Sequence, residues 1–382
     1  TINGNSGERG ILLRRGTGAF IYNSRVSGSA SCLEVAGESV ALEGTDIVFD
    51  GVSLDCDVTV SDGSAETQAW LDASNVNQSG GAVAPADLSA DSFFDDTDYV
   101  GAVQDAANDW VAGWTVGMPD TTPPVAGCPA GTVEGPSIAG TPSCSLSGTI
   151  VSDVTLTRGN YYVLDGKVVV GGDNTDSAVL TVESGTTIIG DDDADFLVIS
   201  RGSRIRALGT NMAPVTLTAI EDIQGDPNLA NARGLWGGLV INGNAPINDC
   251  PEGAQGGTAA CTKEGEANSG IFGGADAADN SGVLRYVVVK YAGSNVDPEN
   301  QLNGIAFQGV GSGTTVDYIQ VHNNLDDGIE MFGGAVNLKH VVLSGNGDDS
   351  MDWTDGWNGN AQYVQIVQAA DAGDNGIEAD NR

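Results

Sequence analysis

Leu284-Arg285-Tyr286-Val287-Val288-Val289 is answered by Val316-Asp317-Tyr318-Ile319-Gln320-Val321, Leu338-Lys339-His340-Val341-Val342-Leu343 and Ala361-Gln362-Tyr363-Val364-Gln365-Ile366, at intervals of 22 to 32 residues. Each unit is followed by a shorter run in which a small residue precedes apolar alternation. These runs are Asn303-Gly304-Ile305-Ala306-Phe307, Asp327-Gly328-Ile329-Glu330-Met331, Asp349-Ser350-Met351-Asp352-Trp353 and Asn375-Gly376-Ile377-Glu378-Ala379. Short strand-like units recurring at such a period indicate a solenoid, because each unit must bury its apolar side against the next. The pattern resumes at the N-terminus. Arg9-Gly10-Ile11-Leu12-Leu13 matches the second run, and Phe20 to Ser24, Cys32 to Val35 and Ile47 to Val52 read as further rungs.

Working outward, Thr149 to Val151, Tyr161 to Leu164, Lys167 to Val170, Ala178 to Val182, Thr186 to Ile189, Phe196 to Ile199 and Val215 to Thr218 are short, β-branched and separated by Gly, Asp or Asn. They stand too close together to contain crossover helices, so the expected fold is all-β, a parallel β-helix, with a β-sandwich as the competitor that leaves the rung repeat unexplained. The expected organisation places rungs at 1–57, a capping or side lobe with short helices at 58–125 (Glu66 to Leu71 and Val100 to Trp114), a disulfide-tied linker at 126–148, and the main β-helix at 149–382 with a loop insertion near 245–280.

Composition sets the class of partner. With 52 acidic against 15 basic residues, the net charge of −37 disfavours nucleic acid, whose phosphates would be repelled. Cations are the natural partners. Six cysteines fall into three local pairs, Cys32 with Cys56, Cys128 with Cys144 and Cys250 with Cys261, and lack a CxxC metal pattern. They read as disulfides formed in an oxidising compartment, extracellular or at the cell surface. No apolar run approaches the roughly 18 residues needed to cross a membrane. The chain has no initiator Met or leader, which reads as a processed chain or a piece of a longer one.

The string Arg233-Gly234-Leu235-Trp236-Gly237-Gly238-Leu239-Val240-Ile241-Asn242-Gly243-Asn244-Ala245-Pro246-Ile247-Asn248 is distinctive. Together with Leu302 to Val310, Asn323 to Gly328 and Trp353 to Trp357, it resembles a family of secreted or surface-associated β-helix proteins of Gram-negative, often marine, bacteria. The resemblance covers most of the chain. It implies a right-handed β-helix outside the cell and says little about activity. In such relatives a block resembling residues 1–115 follows one resembling 145–382, so the order here is that of a circular permutation. A true permutation, a unit of a tandem array and a subunit whose N-terminal rungs complete a neighbour's ladder all remain open. An open β-helix end exposes unpaired backbone, and closing it in trans by strand addition would generate a head-to-tail polymer.

Carboxylates recur at one rung position: Asp326, Asp327 and Glu330; Asp348, Asp349 and Asp352; Asp374 and Glu378. Stacked in a column they would repel one another unless solvated or bridged by a hard cation, for which Ca²⁺ with its roughly six to eight oxygen ligands suits better than Mg²⁺. Asp191 and Asp193, in an Asp-rich turn, form a second candidate. Trp353 and Trp357 beside acids offer a glycan platform, against a plain packing role. Arg9, Arg14 and Arg15, the one dense basic patch, and Arg382 at the other end are the candidate assembly contacts. His322 and His340 lie in strand-like runs with no nucleophile in triad context and read as structural. The expected function is a non-catalytic, Ca²⁺-binding structural protein that polymerises with itself. The alternative is a polysaccharide-binding or polysaccharide-degrading lyase or hydrolase, or an adhesin for a cell-surface glycan.

Overall fold

The computed structural model describes residues 2–4, 9–14, 17–36, 47–61, 65–102, 104, 127–297 and 300–381. Short strands stack in parallel, rung on rung, and the sequence repeats fall into register: Leu284 beside Val316, Val316 beside Leu338, Leu338 beside Ala361. In the shorter runs Ile305, Ile329, Met351 and Ile377 are likewise aligned. The molecule is a parallel β-helix with three faces. Its inward columns, such as Val321, Leu343 and Ile366 or Ile305, Ile329 and Met351, are almost completely buried. Alternate residues of each strand point outward, as the pleat requires.

One residue per rung makes the corner between two faces. Tyr286, Tyr318, His340 and Tyr363 occupy the left-handed region, with φ of 49°, 56°, 52° and 59°. That conformation costs about 1 kcal/mol or more for a residue with a Cβ. Identical register places the rings over one another, 4.4, 4.1 and 4.7 Å between centroids, and such stacking returns energy of similar size.

The N-terminal rungs close onto the C-terminal ones of the same chain. Strand Ile2–Asn3 lies between Ala361–Val367 and Arg25–Ser27, with Ile2 beside both Ile366 and Val26. Strand Arg9–Arg14 lies between Asn375–Ala379 and Ser31–Ala36. The two arcs are therefore one ladder, joined here in cis. Gly101 is hydrogen-bonded to the Asn23 carbonyl, and the Gly127 carbonyl accepts from Asn160. Residues 103–126 must connect points about eight strand spacings apart, about 38 Å along the axis. Fully extended, they reach about 80 Å.

Both ends of the ladder are covered. Helix Ala65–Ala73 crosses one end, with Leu71 fully buried and Trp70 edge-on to Phe49 at 5.1 Å. At the other end, strand Val133–Ile138 runs antiparallel to Thr141–Ile150, fastened by the Cys128–Cys144 disulfide.

The structure corrects two expected boundaries. The rungs continue past residue 57 through Val58–Val60 and Asn75–Asn77. The segment 126–148 is no linker: Ser143 to Ser147 already pair with Tyr161 to Asp165, so the ladder begins inside it. Its Gly, Pro and Cys content belongs to a terminal hairpin, where turns and a free edge favour such residues. Disulfides Cys32–Cys56 and Cys250–Cys261 also form, the latter within the 245–280 insertion. Most of the helical run expected at Val100 to Trp114, with Arg15 and Arg382, lies outside the described residues.

Candidate functional site

One outer face carries the acidic column. Strands Ile305–Gln308, Ile329–Phe332, Met351–Thr354 and Asn375–Ala379 point Ile305, Ile329, Met351 and Ile377 inward, so alternation turns Ala306, Glu330, Asp352 and Glu378 outward in register. The turn preceding these strands supplies Asp326, Asp327, Asp348, Asp349 and Asp374. Three groups have oxygens within 4.8 Å of one another: Asp326 with Asp327 and Asp348, Asp327 with Glu330 and Asp352, and Asp348 with Asp349 and Asp374. The turn carboxylates also serve the backbone. Asp327 accepts from the Asp349 amide at 2.9 Å, and Asp349 from the Asn375 amide at 2.5 Å.

Crowding like charges away from water raises their affinity for protons. Burial, then the charge of Asp326, pushes Glu266 up to about 8. Burial, then Asp348, pushes Asp349 up to about 8, and burial takes Asp352 to about 7. Asp326 rises to about 6 through burial and Asp348. Asp327 and Glu330 are held well above the usual carboxylate range by burial and by Asp352. Glu330 and Asp352 share a hydrogen bond. Near neutral pH the cluster therefore keeps protons or takes a cation in their place. Oxygen donors at this spacing suit a hard divalent ion such as Ca²⁺.

Around the column lies a cleft of about 530 Å³, bounded by Glu266, Glu330, Asp352, Gln308, Lys263 and Arg14 among others. Three of the residues around the column escaped the sequence reading. Lys263 and Glu266 come from the 245–280 insertion, which folds over the face instead of projecting from it. Asn303, fully buried, donates to Glu330 at 2.7 Å and to Glu266 at 3.2 Å. The available signal was register, since Asn303 holds the rung position of Asp327 and Asp349.

The N-terminal arc contributes cations. Arg14 donates to Asp380 at 2.9 Å and contacts Glu378, while Arg9 donates to Glu34 at 2.8 Å and Asn375 at 3.1 Å and stands 3.7 Å from Asp374. Arg9 and Arg14 thus meet acids at the end of the column.

The remaining candidates lie elsewhere. Among the described residues, Asp191 and Asp193 belong to no group of three close carboxylates; the Asp191 side chain lies against Asp195, which accepts from the amides of Gly166 and Asp191 and is pushed up to about 6 mainly by burial. Trp353 and Trp357 are half-buried, 5.3 Å apart, and Trp357 donates to the Val336 carbonyl. Both face a cavity of about 720 Å³ between the two arcs. His322 pairs with the Ser344 hydroxyl at 2.9 Å and is driven down to about 4 by burial, while His340 sits in the corner stack, 2.7 Å from Asp317.

These features define a parallel β-helix protein with an acidic outer face. Residues 148–382 match the family model described as pectate-lyase like beta helix domain, and the chain belongs to that family. No curated protein and no solved structure matches the chain significantly.

Proposed function

We propose that this is a disulfide-stabilised extracellular structural protein whose copies join head to tail, the N-terminal arc of one completing the ladder of another. The observation that carries the reading is the seam. Among the described residues, Ile2–Asn3 and Ala361–Val367 share two residue pairs across it, and Arg9–Arg14 and Asn375–Ala379 share two. An ordinary junction, Thr315–His322 on Asn337–Ser344, has seven. On the third face, Ala19–Tyr22 pairs only away from the seam among the described residues, and the 720 Å³ cavity separates it from Ala361.

Among the described residues the seam is thus a sparsely paired junction, while both outer ends are capped. Exchanging the N-terminal arc between copies reproduces every seam contact and alters only the path of residues 103–126. Such an interface is heterologous and does not close on itself, so it propagates. Monomer and polymer then compete through the effective concentration of an arc for the ladder of its own chain. Three disulfides agree with an oxidising location, and no helix among the described residues is long and apolar enough to cross a membrane.

The test uses Arg14→Cys and Asp380→Cys on separately tagged copies, mixed, unfolded and refolded together at rising concentration, then oxidised. Covalent pairs carrying both tags are expected, and the double variant is expected to give a ladder of covalent oligomers visible as fibres by electron microscopy. Exclusive intrachain crosslinking at all concentrations would sink the proposal. The family match favours a second reading, binding or cleavage of a polysaccharide, for which the acidic cleft is the place to look.

A further inference from the structure

The cleft over the acidic column contains a donor with nothing to donate to. Gln308 is fully buried and lines the cleft. Its Oε1 accepts from the Ser269 hydroxyl at 3.2 Å, yet its Nε2 has no hydrogen-bond partner. A buried amide left unpaired costs roughly 1–3 kcal/mol, so such a group calls for a ligand or water. Across the cleft, Asp352 Oδ1 is likewise buried and unpartnered. An idle donor and an idle acceptor therefore line one cleft, whose volume of about 530 Å³ lies within the range of small-molecule sites.

The rest of the lining decides what fits. The two cations are already engaged: Lys263 by Asp249 at 2.7 Å and Asp355 at 3.0 Å, Arg14 by Asp380 and Glu378. An anionic ligand would have to displace those acids and face Glu266, Glu330 and Asp352 as well. A metal ion would find carboxylates here, but Lys263 and Arg14 already hold several of the acids and the Gln308 N–H would be left turned toward a cation. Hydroxyl groups both donate and accept, so a ligand carrying several of them can serve Gln308 through one and Asp352 through another. Phe272 and Phe332, 6.2 Å apart and edge to face, add an apolar wall of the kind that packs against the C–H face of a sugar ring.

We infer that this cleft binds a neutral polyhydroxylated ligand, a sugar unit of an uncharged glycan, and that Arg14 of the docked N-terminal arc completes it. The site needs that arc in place, in cis or in trans, and stands whether or not copies exchange it.

The experiment titrates the intact chain with uncharged gluco-, manno-, galacto- and xylo-oligosaccharides, and in parallel with galacturonate oligomers and with CaCl₂ alone, by calorimetry. At least one uncharged series is expected to bind and the galacturonates are not. Gln308→Met, similar in length and lacking the amide, is expected to weaken binding about tenfold or more with the melting temperature unchanged. If that variant folds poorly, Thr354→Tyr, which fills the cleft from a half-exposed position, is expected to abolish binding. The inference is overturned if no uncharged sugar binds at about 10 mM, if neither Gln308→Met nor Thr354→Tyr changes binding, or if CaCl₂ alone binds and Asp352→Asn eliminates that.

Discussion

Replacing Asp352 with asparagine should make the protein more stable at alkaline pH and leave it unchanged in acid. Asp352 titrates at about 7 in the folded chain against 3.8 as a model group. Its folded pKa lies above its unfolded one, so the native state binds the extra proton, and stability falls as pH rises between about 4 and 7. Below that window both states are protonated and the group contributes nothing. Above it, the gap of about 3 pH units corresponds to about 4 kcal/mol lost, at roughly 1.4 kcal/mol per unit. The asparagine side chain carries no charge to bury, so the variant escapes that loss. The assay is thermal unfolding in EDTA at pH 5 and pH 8.5. Wild type should melt lower at pH 8.5, and Asp352→Asn should regain roughly 5–10 °C there while matching wild type at pH 5. A wild-type melting temperature that is flat or rising from pH 5 to 8.5 in EDTA would refute the electrostatic account of the column.

Other outcomes follow from the same contacts. Changing Arg9 and Arg14 together to glutamine should loosen the N-terminal arc by roughly 1 kcal/mol for each half-exposed pair, read as faster proteolysis between residues 78 and 102, and 1 M NaCl should mimic it. Trp236→Ala removes a fully buried ring that also donates to the Lys290 carbonyl at 2.8 Å; a cost of about 3–5 kcal/mol is expected in chemical denaturation. Breaking Cys32–Cys56 by a double serine variant should cost about 3 kcal/mol, concentrated in the N-terminal arc and seen as local loss of hydrogen-exchange protection there.

The ladder was legible because parallel stacking demands repetition. Leu284, Val316 and Leu338 must occupy one column, and the same geometry repeats the corner at Tyr286, Tyr318, His340 and Tyr363. The column of Glu330, Asp352 and Glu378 could be read for the same reason. Glu266 and Lys263 could not, because an insertion carries no register with the rungs and only folding brings it over the face. The hairpin at Val133 to Ile150 was obscured by Gly135, Pro136, Gly140 and Pro142, residues that signal a loop wherever they fall. Whether two matching arcs close within one chain depends on the path of the connector, on which rung patterns are silent.

The hydrogen bond from Arg9 to Asn375 spans 366 positions of sequence. At about 5–20 residues per second of synthesis, the first strands wait on the order of half a minute for their neighbours. Middle rungs can stack as they emerge, but the first arc is held open until the last rungs exist. Closing the ladder therefore joins residues made 366 positions apart, and for that interval the uncovered edge of Arg9–Arg14 is available to any ladder that presents a matching end.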